Sequence, residues 1–251
     1  LDIMAGMLAL LLALCLPLRA EEAQPRIAVV IDDFGLTYKN NVPDEDWMAL
    51  KFPITFAVMP ESPRTAEAAR RTKETGHELI IHFPFDPFLK LDLPKDRVST
   101  DDAAKVEALL EKAFRQIPEP KGLNNHRSYK ATKSAPLMAV FMRLLKPKGV
   151  YFLDSGVSPK TVAYEKARQA KIPAARGSLF MEEPGHYNDK AFAARMLRVA
   201  ARRARKTGSV VIIGHHYFRG TFDALREEVP RLQKEGVEFV FASALARKGF
   251  T

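Results

Sequence analysis

Cysteine is nearly absent from this chain. The single copy, Cys15, lies in an apolar stretch near the start, so disulfides and thiolate metal ligands are excluded from the remainder. There is no Gly-rich phosphate loop and no nucleophile elbow, which argues against phosphoryl transfer and serine hydrolase chemistry. Aromatic-interleaved basic motifs are missing as well, although 39 Lys+Arg against 30 Asp+Glu give a net charge of +9. Nucleic acid is therefore not an expected partner. Much of the basic excess falls on one stretch, Arg195, Arg198, Arg202, Arg203, Arg205 and Lys206. It reads first as a solvated helix face and second as a surface attracted to anionic envelope polymers or lipids.

Long apolar runs are also lacking beyond residue 20. The one before it, Met4 to Leu18, is short for a membrane span and fits the apolar region of a secretory signal, with cleavage after Ala20. Residues 1–20 are expected to be that signal and 21–25 a linker, which would make the protein exported, to the periplasm or cell envelope. Leu14 before Cys15 does not suit lipoprotein processing, so neither a lipid anchor nor an integral span is expected in the mature chain. No linker, repeat or low-complexity stretch divides 26–251, so that span is expected to form one domain.

What the sequence has is a regular alternation of strand and helix signals. Strands are expected near 27–31, 54–58, 78–82, 121–124, 150–153, 172–175, 209–213 and 237–241, with helices between them near 62–75, 101–116, 134–146, 159–170, 188–206 and 221–235. Strands alternating with helices imply a mostly parallel sheet. Seven or eight such strands predict an α/β fold, a distorted (β/α) barrel of the TIM kind.

The chemistry-bearing residues gather where the apolar runs stop. Ile27–Ile31 runs into Asp32-Asp33, Leu79-Ile80-Ile81 into His82, and Gly122-Leu123 into Asn124-Asn125-His126. Tyr151–Leu153 runs into Asp154, and Val210–Ile213 into Gly214-His215-His216. Reacting groups in parallel barrels sit at the carboxyl ends of the strands, so these five clusters predict one shared site in a metal-dependent enzyme. Two adjacent carboxylates at a turn can divide labour, one on a metal and one on water. His82 is a candidate ligand, with Asp86 another if its loop folds back. His126 is the natural third ligand, and the flanking Asn residues are suited to orienting its imidazole or binding sugar hydroxyls. One Asp and two His suit a hydrolytic zinc site, although such a donor set accepts other divalent ions. His77, at a strand start, is expected at the opposite end in a structural role. Asp154 and His215 suggest a carboxylate–imidazole pair, with the imidazole donating a proton. Strand alternation allows only one of His215 and His216 to face the site. His186 reads as a surface loop residue.

These segments, in this order, resemble the divergent polysaccharide deacetylase family of the NodB-like carbohydrate esterases, over most of Arg26 to Leu245. The resemblance rests on Ile31-Asp32-Asp33-Phe34-Gly35, Ile54 to Pro60, Gly76-His77-Glu78 with His82 to Pro87, Asn124-Asn125-His126, Phe152 to Ser155 and Ile213-Gly214-His215. It implies a distorted barrel, a bound zinc or similar ion, and hydrolysis of acetyl groups from an acetylated polysaccharide or oligosaccharide. It also implies a base at Asp32, metal ligands at Asp33 and His82, and an acid at His215. The second metal His of the wider superfamily is replaced here by Asp86, which favours His126. Asn125, Arg176 and Glu182 are further candidates. Departures from the family pattern include His126-Arg127-Ser128-Tyr129 for the usual His-x-Gly-Ser and His216 for the usual Pro. Phe180-Met181-Glu182-Glu183 stands where Phe-Leu-Asp-Asn is usual, so an acid is kept but lengthened.

Overall fold

The computed structural model describes residues 24–37 and 42–247. The expected signal segment, Cys15 and the linker up to residue 23 lie outside the described residues. Among the described residues, nine strands form one sheet, and every strand pair in it is parallel. In chain order these are β1 (Arg26–Phe34), β2 (Thr55–Val58), β3 (Glu78–Pro84), β4 (Gly122–His126) and β5 (Tyr151–Asp154). They are followed by β6 (Ala174–Arg176), β7 (Leu179–Phe180), β8 (Ser209–His215) and β9 (Glu238–Val240). The spatial order is β6-β5-β4-β3-β2-β1-β8-β7, and β9 pairs with the first three residues of β1 while β2 pairs with its upper half. This is the expected distorted α/β barrel, curled but not closed by a ladder between β6 and β7.

Among the described residues, seven α-helices cover the outside: α1 (Asp44–Met48), α2 (Thr65–Glu74), α3 (Thr100–Gln116), α4 (Ala135–Leu145), α5 (Ala163–Gln169), α6 (Lys190–Thr207) and α7 (Arg219–Lys234). Their boundaries follow local chemistry. The side chains of Ser99, Ser134 and Asp189 cap the starts of α3, α4 and α6 by accepting backbone N–H bonds from Asp102, Leu137 and Phe192. Two elements go beyond the sequence expectation: five-residue α1 and two-residue β7, both too short to show a period.

The sheet has two apolar faces, and their composition tells which is which. Ala28, Val30, Ala57, Ile80, Leu153, Val211 and Ile213 belong to a small cluster that includes no α-helix residue, so they fill the barrel. The alternate positions, such as Ile27, Val29, Ile31, Phe56, Leu79, Ile81, Leu123, Phe152 and Ile212, pack beneath the helices. Counting on by twos along the inner face gives Asp32, His82, Asn124, His126 and His215 at the carboxyl mouth. Counting back gives Thr55, Glu78 and Tyr151 at the floor. There Glu78 Oε1 accepts bonds from Thr55 Oγ1 (2.9 Å), Tyr151 OH (2.9 Å) and Ser243 N (3.1 Å).

The gap between β6 and β7 is crossed by two residues of chain. Gly177 N donates to Asp154 O (2.7 Å) on one side, and Ser178 N donates to Val211 O (3.0 Å) on the other. A Cβ on Gly177 would lie 2.8 Å from both Ile213 Cδ1 and Ser155 O, so the crossing needs glycine here.

Candidate functional site

Strand alternation would turn Asp33 away from Asp32. A bulge prevents this: between Ile31 and Phe34, β1 advances three residues while β2 advances two, from Phe56 to Val58. The extra residue is absorbed at Asp33, which takes a left-handed φ of 72°, a region Asp enters more readily than most residues. Both carboxylates thereby reach the mouth, and both are buried.

Asp33, His82 and His126 each bring one ligand atom to a common point, with all three atoms within 4.8 Å of one another. Asp33 Oδ1 lies 2.9 Å from His126 Nδ1 and 3.2 Å from His82 Nε2, and the two ring nitrogens are 3.0 Å apart. A tetrahedral ion with bonds of about 2.0–2.1 Å holds its ligand atoms roughly 3.3 Å apart. The triangle is therefore of the size a small divalent ion requires. Asp33 Oδ1 is also a buried oxygen without a well-formed hydrogen bond. The donor set fits the metal that the sequence implies.

The proton on His82 is fixed by its neighbours. Ser155 Oγ donates to the backbone oxygen of Asn125 (2.9 Å), so it can accept from Asn124 Nδ2 (3.2 Å). The same Nδ2 donates to Asp32 Oδ1 (2.9 Å), which leaves Asn124 Oδ1 to accept from His82 Nδ1 at 2.7 Å. His82 thus carries its proton on Nδ1 and turns the Nε2 lone pair toward Asp33 and His126, as a metal ligand must. His126 is steadied from its own backbone. Arg127 and Ser128 follow it with φ of 48° and 63°, and Ser128 Oγ donates to His126 O (2.6 Å) and accepts from Phe85 N (3.2 Å). Serine thus occupies, in a left-handed conformation, the place where the family pattern has glycine.

The charges of the site oppose burial in a graded way. Burial raises the Asp32 carboxyl, only partly offset by the charges of His82 and His215. Burial also works against ionised Asp33, but the adjoining His126 and His82 hold it well below the ordinary range. For His82, burial is outweighed by Asp32 and Asp33, and its pKa rises, whereas burial prevails at His126 and lowers it.

His215 stands opposite Asp32 in the β1–β8 ladder. Its Nδ1 pairs with Glu182 Oε2 (3.1 Å), and Glu182 Oε1 accepts from His215 N (3.2 Å) and Thr221 Oγ1. Burial would lower this imidazole, but the Glu182 hydrogen bond and charge, aided by Asp33 and Asp32, lift it to about 9. His216 is fully buried on the outer face beside Phe34 (5.3 Å between ring centroids), with neither ring nitrogen hydrogen-bonded.

Asp154, Asp86, Asn125 and Arg176 stand away from the ligand triangle, as do His77 and His186, which were expected outside the site. Asp154 does not orient His215. It falls on the outer parity of β5, where its oxygens accept from Gly156 N (3.0 Å), Thr161 Oγ1 (2.9 Å) and Tyr164 N (3.3 Å), tying down the start of α5. Asp86 accepts from Ala131 N (2.8 Å) and Lys130 N (3.1 Å) and is occupied as a cap rather than turned to the ligand triangle. Asn125 is outward too, its Oδ1 accepting from Ser155 N (2.9 Å) and its Nδ2 donating to Arg127 O (3.2 Å). Arg176 has the outer parity of β6 and is exposed. His77 lies at the floor end, its Nε2 3.1 Å from Met48 O. His186 sits 3.0 Å from Asp189 Oδ2 and stacks on Phe192. Asn124, Ser155 and the pairing of Glu182 with His215 were not read from sequence as a set. The signal for the first was its inner parity with His126.

Comparison with known proteins identifies the fold and the family. The chain is 31% identical to the Escherichia coli K12 protein YibQ over 242 residues, covering 94% of this chain and 71% of that one. Its fold is similar to that of ATU2773 from Agrobacterium tumefaciens C58 (TM-score 0.71, 18% identity, 90% and 91% of the two chains covered). It is also similar to a family 4 carbohydrate esterase from Streptomyces lividans in complex with acetate (TM-score 0.57, 12% identity, 91% and 98% covered). The divergent polysaccharide deacetylase family matches residues 29–246, and the chain belongs to that family.

Proposed function

We propose that this protein is an exported, metal-dependent deacetylase of an acetylated envelope polysaccharide. The reading rests on one observation: a buried ligand triangle beside which stand the Asp32 carboxylate, held by Asn124, and the His215 imidazole, held by Glu182. A divalent ion, zinc first among the candidates, would be held by Asp33, His82 and His126 and would supply Lewis acidity toward the acetyl carbonyl. Asp32 takes the proton of the attacking water. Its burial makes it a stronger base than an exposed carboxylate, and Asn124 Nδ2 fixes its orientation. His215 gives a proton to the departing nitrogen or oxygen of the sugar. Glu182 keeps that imidazole charged and aimed until the C–N or C–O bond breaks.

The test is acetate release from a panel of N- and O-acetylated glycans, with and without a chelator. Release by the parent, lost with chelator and restored by zinc, is the expected result. Release by no metal-loaded preparation on any glycan would overturn catalysis and leave a glycan-binding role.

A further inference from the structure

Among the described residues, three large apolar or aromatic side chains are well exposed: Phe88 (55%), Tyr129 (52%) and Tyr187 (60%). All three lie in loops that follow the carboxyl ends of strands, after β3, β4 and β7, on the same rim as the site. A surface shaped only by solubility would scatter such residues, and their collection on one rim marks a binding surface. Phe88 touches the machinery directly, and Tyr187 reaches it through one further ring. Phe88 meets the His126 ring edge-on, with centroids 5.2 Å apart. Tyr187 stacks on Phe218 (5.6 Å), which in turn contacts the His215 ring (6.2 Å). Tyr129 differs, because Lys133 Nζ sits 4.0 Å over its ring and occupies one face.

We propose that Phe88 and the Tyr187–Phe218 stack are two sugar-binding platforms, one on each side of the reacting acetyl group, so that the substrate is a chain of several sugars bound across the mouth. The apolar faces of pyranose rings bury well against open aromatic rings, and an aromatic ring carries much contact area at little entropic cost. The two platforms adjoin β4 and β8, four steps apart in the strand order. At about 4.8 Å per step that is on the order of 19 Å along the curled wall and roughly 12 Å straight across a half-turn, still wider than one sugar ring. A monosaccharide would touch one platform at most. An oligosaccharide reacting at an internal unit would touch both, with its acetyl group over Asp32 and the ligand triangle.

This inference rests on the proposed deacetylase reading, and its experiment separates the two. Acetate release by the zinc-loaded protein is measured on monomeric N-acetylglucosamine, its β-1,4-linked tetramer, and O-acetylated xylo-oligomers. In parallel, migration is followed in native gels containing each acetylated polymer. The parent should prefer the longer substrates. Phe88→Ala and Tyr187→Ala should each raise KM for them about five- to tenfold with kcat little changed, raise KM for the monomer much less, and reduce retardation in the gel. Phe88→Trp should restore the preference, and Tyr129→Ala should leave it intact. Equal losses on monomer and oligomer, or unchanged oligomer KM in both variants, would overturn the platforms while sparing the deacetylase reading. If the parent releases no acetate at all, the deacetylase reading falls. The gels then decide the platforms alone: retardation of the parent that both variants lose supports them, and a parent that is not retarded refutes them.

Discussion

The two ends of the barrel each bury a carboxylate on the inner face and treat it in opposite ways. At the floor, Glu78 Oε1 faces three donors, Thr55 Oγ1, Tyr151 OH and Ser243 N, so a costly buried acceptor becomes a staple. At the mouth, Asp33 Oδ1 faces two imidazole nitrogens, of which His82 Nε2 turns its lone pair inward, and it has no well-formed hydrogen bond. Acceptors turned on acceptors are repulsive without a proton or a cation between them. The floor is built for stability. The mouth carries unmet electrostatic demand held in place by the walls, and a binding site is where such demand is of use.

Substitutions should separate these roles, with the greatest effect at the ligand triangle. Asp33→Ala, His82→Ala and His126→Ala should each remove most of the roughly one divalent ion bound per chain, as read by elemental analysis, and abolish turnover. The unfolding midpoint of the metal-free protein should hold or rise. Full metal content in His126→Ala would break the contrast at its centre.

Next in size come the flanking groups. Asp32→Asn and His215→Ala should retain metal yet lose about 100-fold or more in kcat. The rate of the parent should fall as pH rises through about 9, where His215 loses its proton. Glu182→Gln removes the main contribution that holds this value up, so the falling limb should move to lower pH. A limb that stays in place would separate Glu182 from the acid.

Asn124→Leu should weaken metal affinity by about 10–100-fold, the usual cost of losing a hydrogen bond that orients a ligand. Asn125→Leu, on the outer parity, should disturb stability instead. Equal metal affinities in the two variants would refute the inward–outward division.

At the floor, Glu78→Ala strands two buried hydroxyls and a backbone N–H and should cost at least about 2 kcal/mol in denaturant titration, with metal affinity unchanged. Glu78→Gln keeps an acceptor and should recover part of the loss. The smallest effect belongs to His216. Burial and nearby positive charge lower its pKa to about 4, so the neutral ring favours the fold above the ordinary value of 6.5. That contribution is lost as pH falls from 6.5 through about 4. His216→Phe should therefore flatten the acid side of the stability profile, while a profile identical to the parent would show that the ring is not buried neutral.

The same contrast explains what the sequence made legible. Strand ends carrying Asp, His and Asn pointed to one mouth, and the barrel followed from the alternation of strands and helices. The phase of each strand did not follow, because with apolar residues on both faces Tyr151-Phe152-Leu153 gives no sign of which side Asp154 will take. Asp154, Asn125 and Arg176 were therefore grouped with the site although they have the outward parity. Glu182 was noted only as a retained acid, since two-residue β7 has no period to place it. Asp33 is the converse case. Alternation alone would exclude it, and only the bulge in β1 brings it in.

The two-residue crossing at Gly177-Ser178 has a mechanical consequence. Where neighbouring strands are joined by a ladder, a cut in the chain leaves the hydrogen bonds to hold the wall. Here the seam between β6 and β7 is a covalent strap, no longer than about 11 Å from Arg176 to Leu179 even when taut. Cutting that strap at one peptide bond would open the wall into two chain ends, with β6 still tied by its backbone bonds between Ala174 and Arg247 (2.9 Å each). One of those ends is the short strand that leads into Glu182.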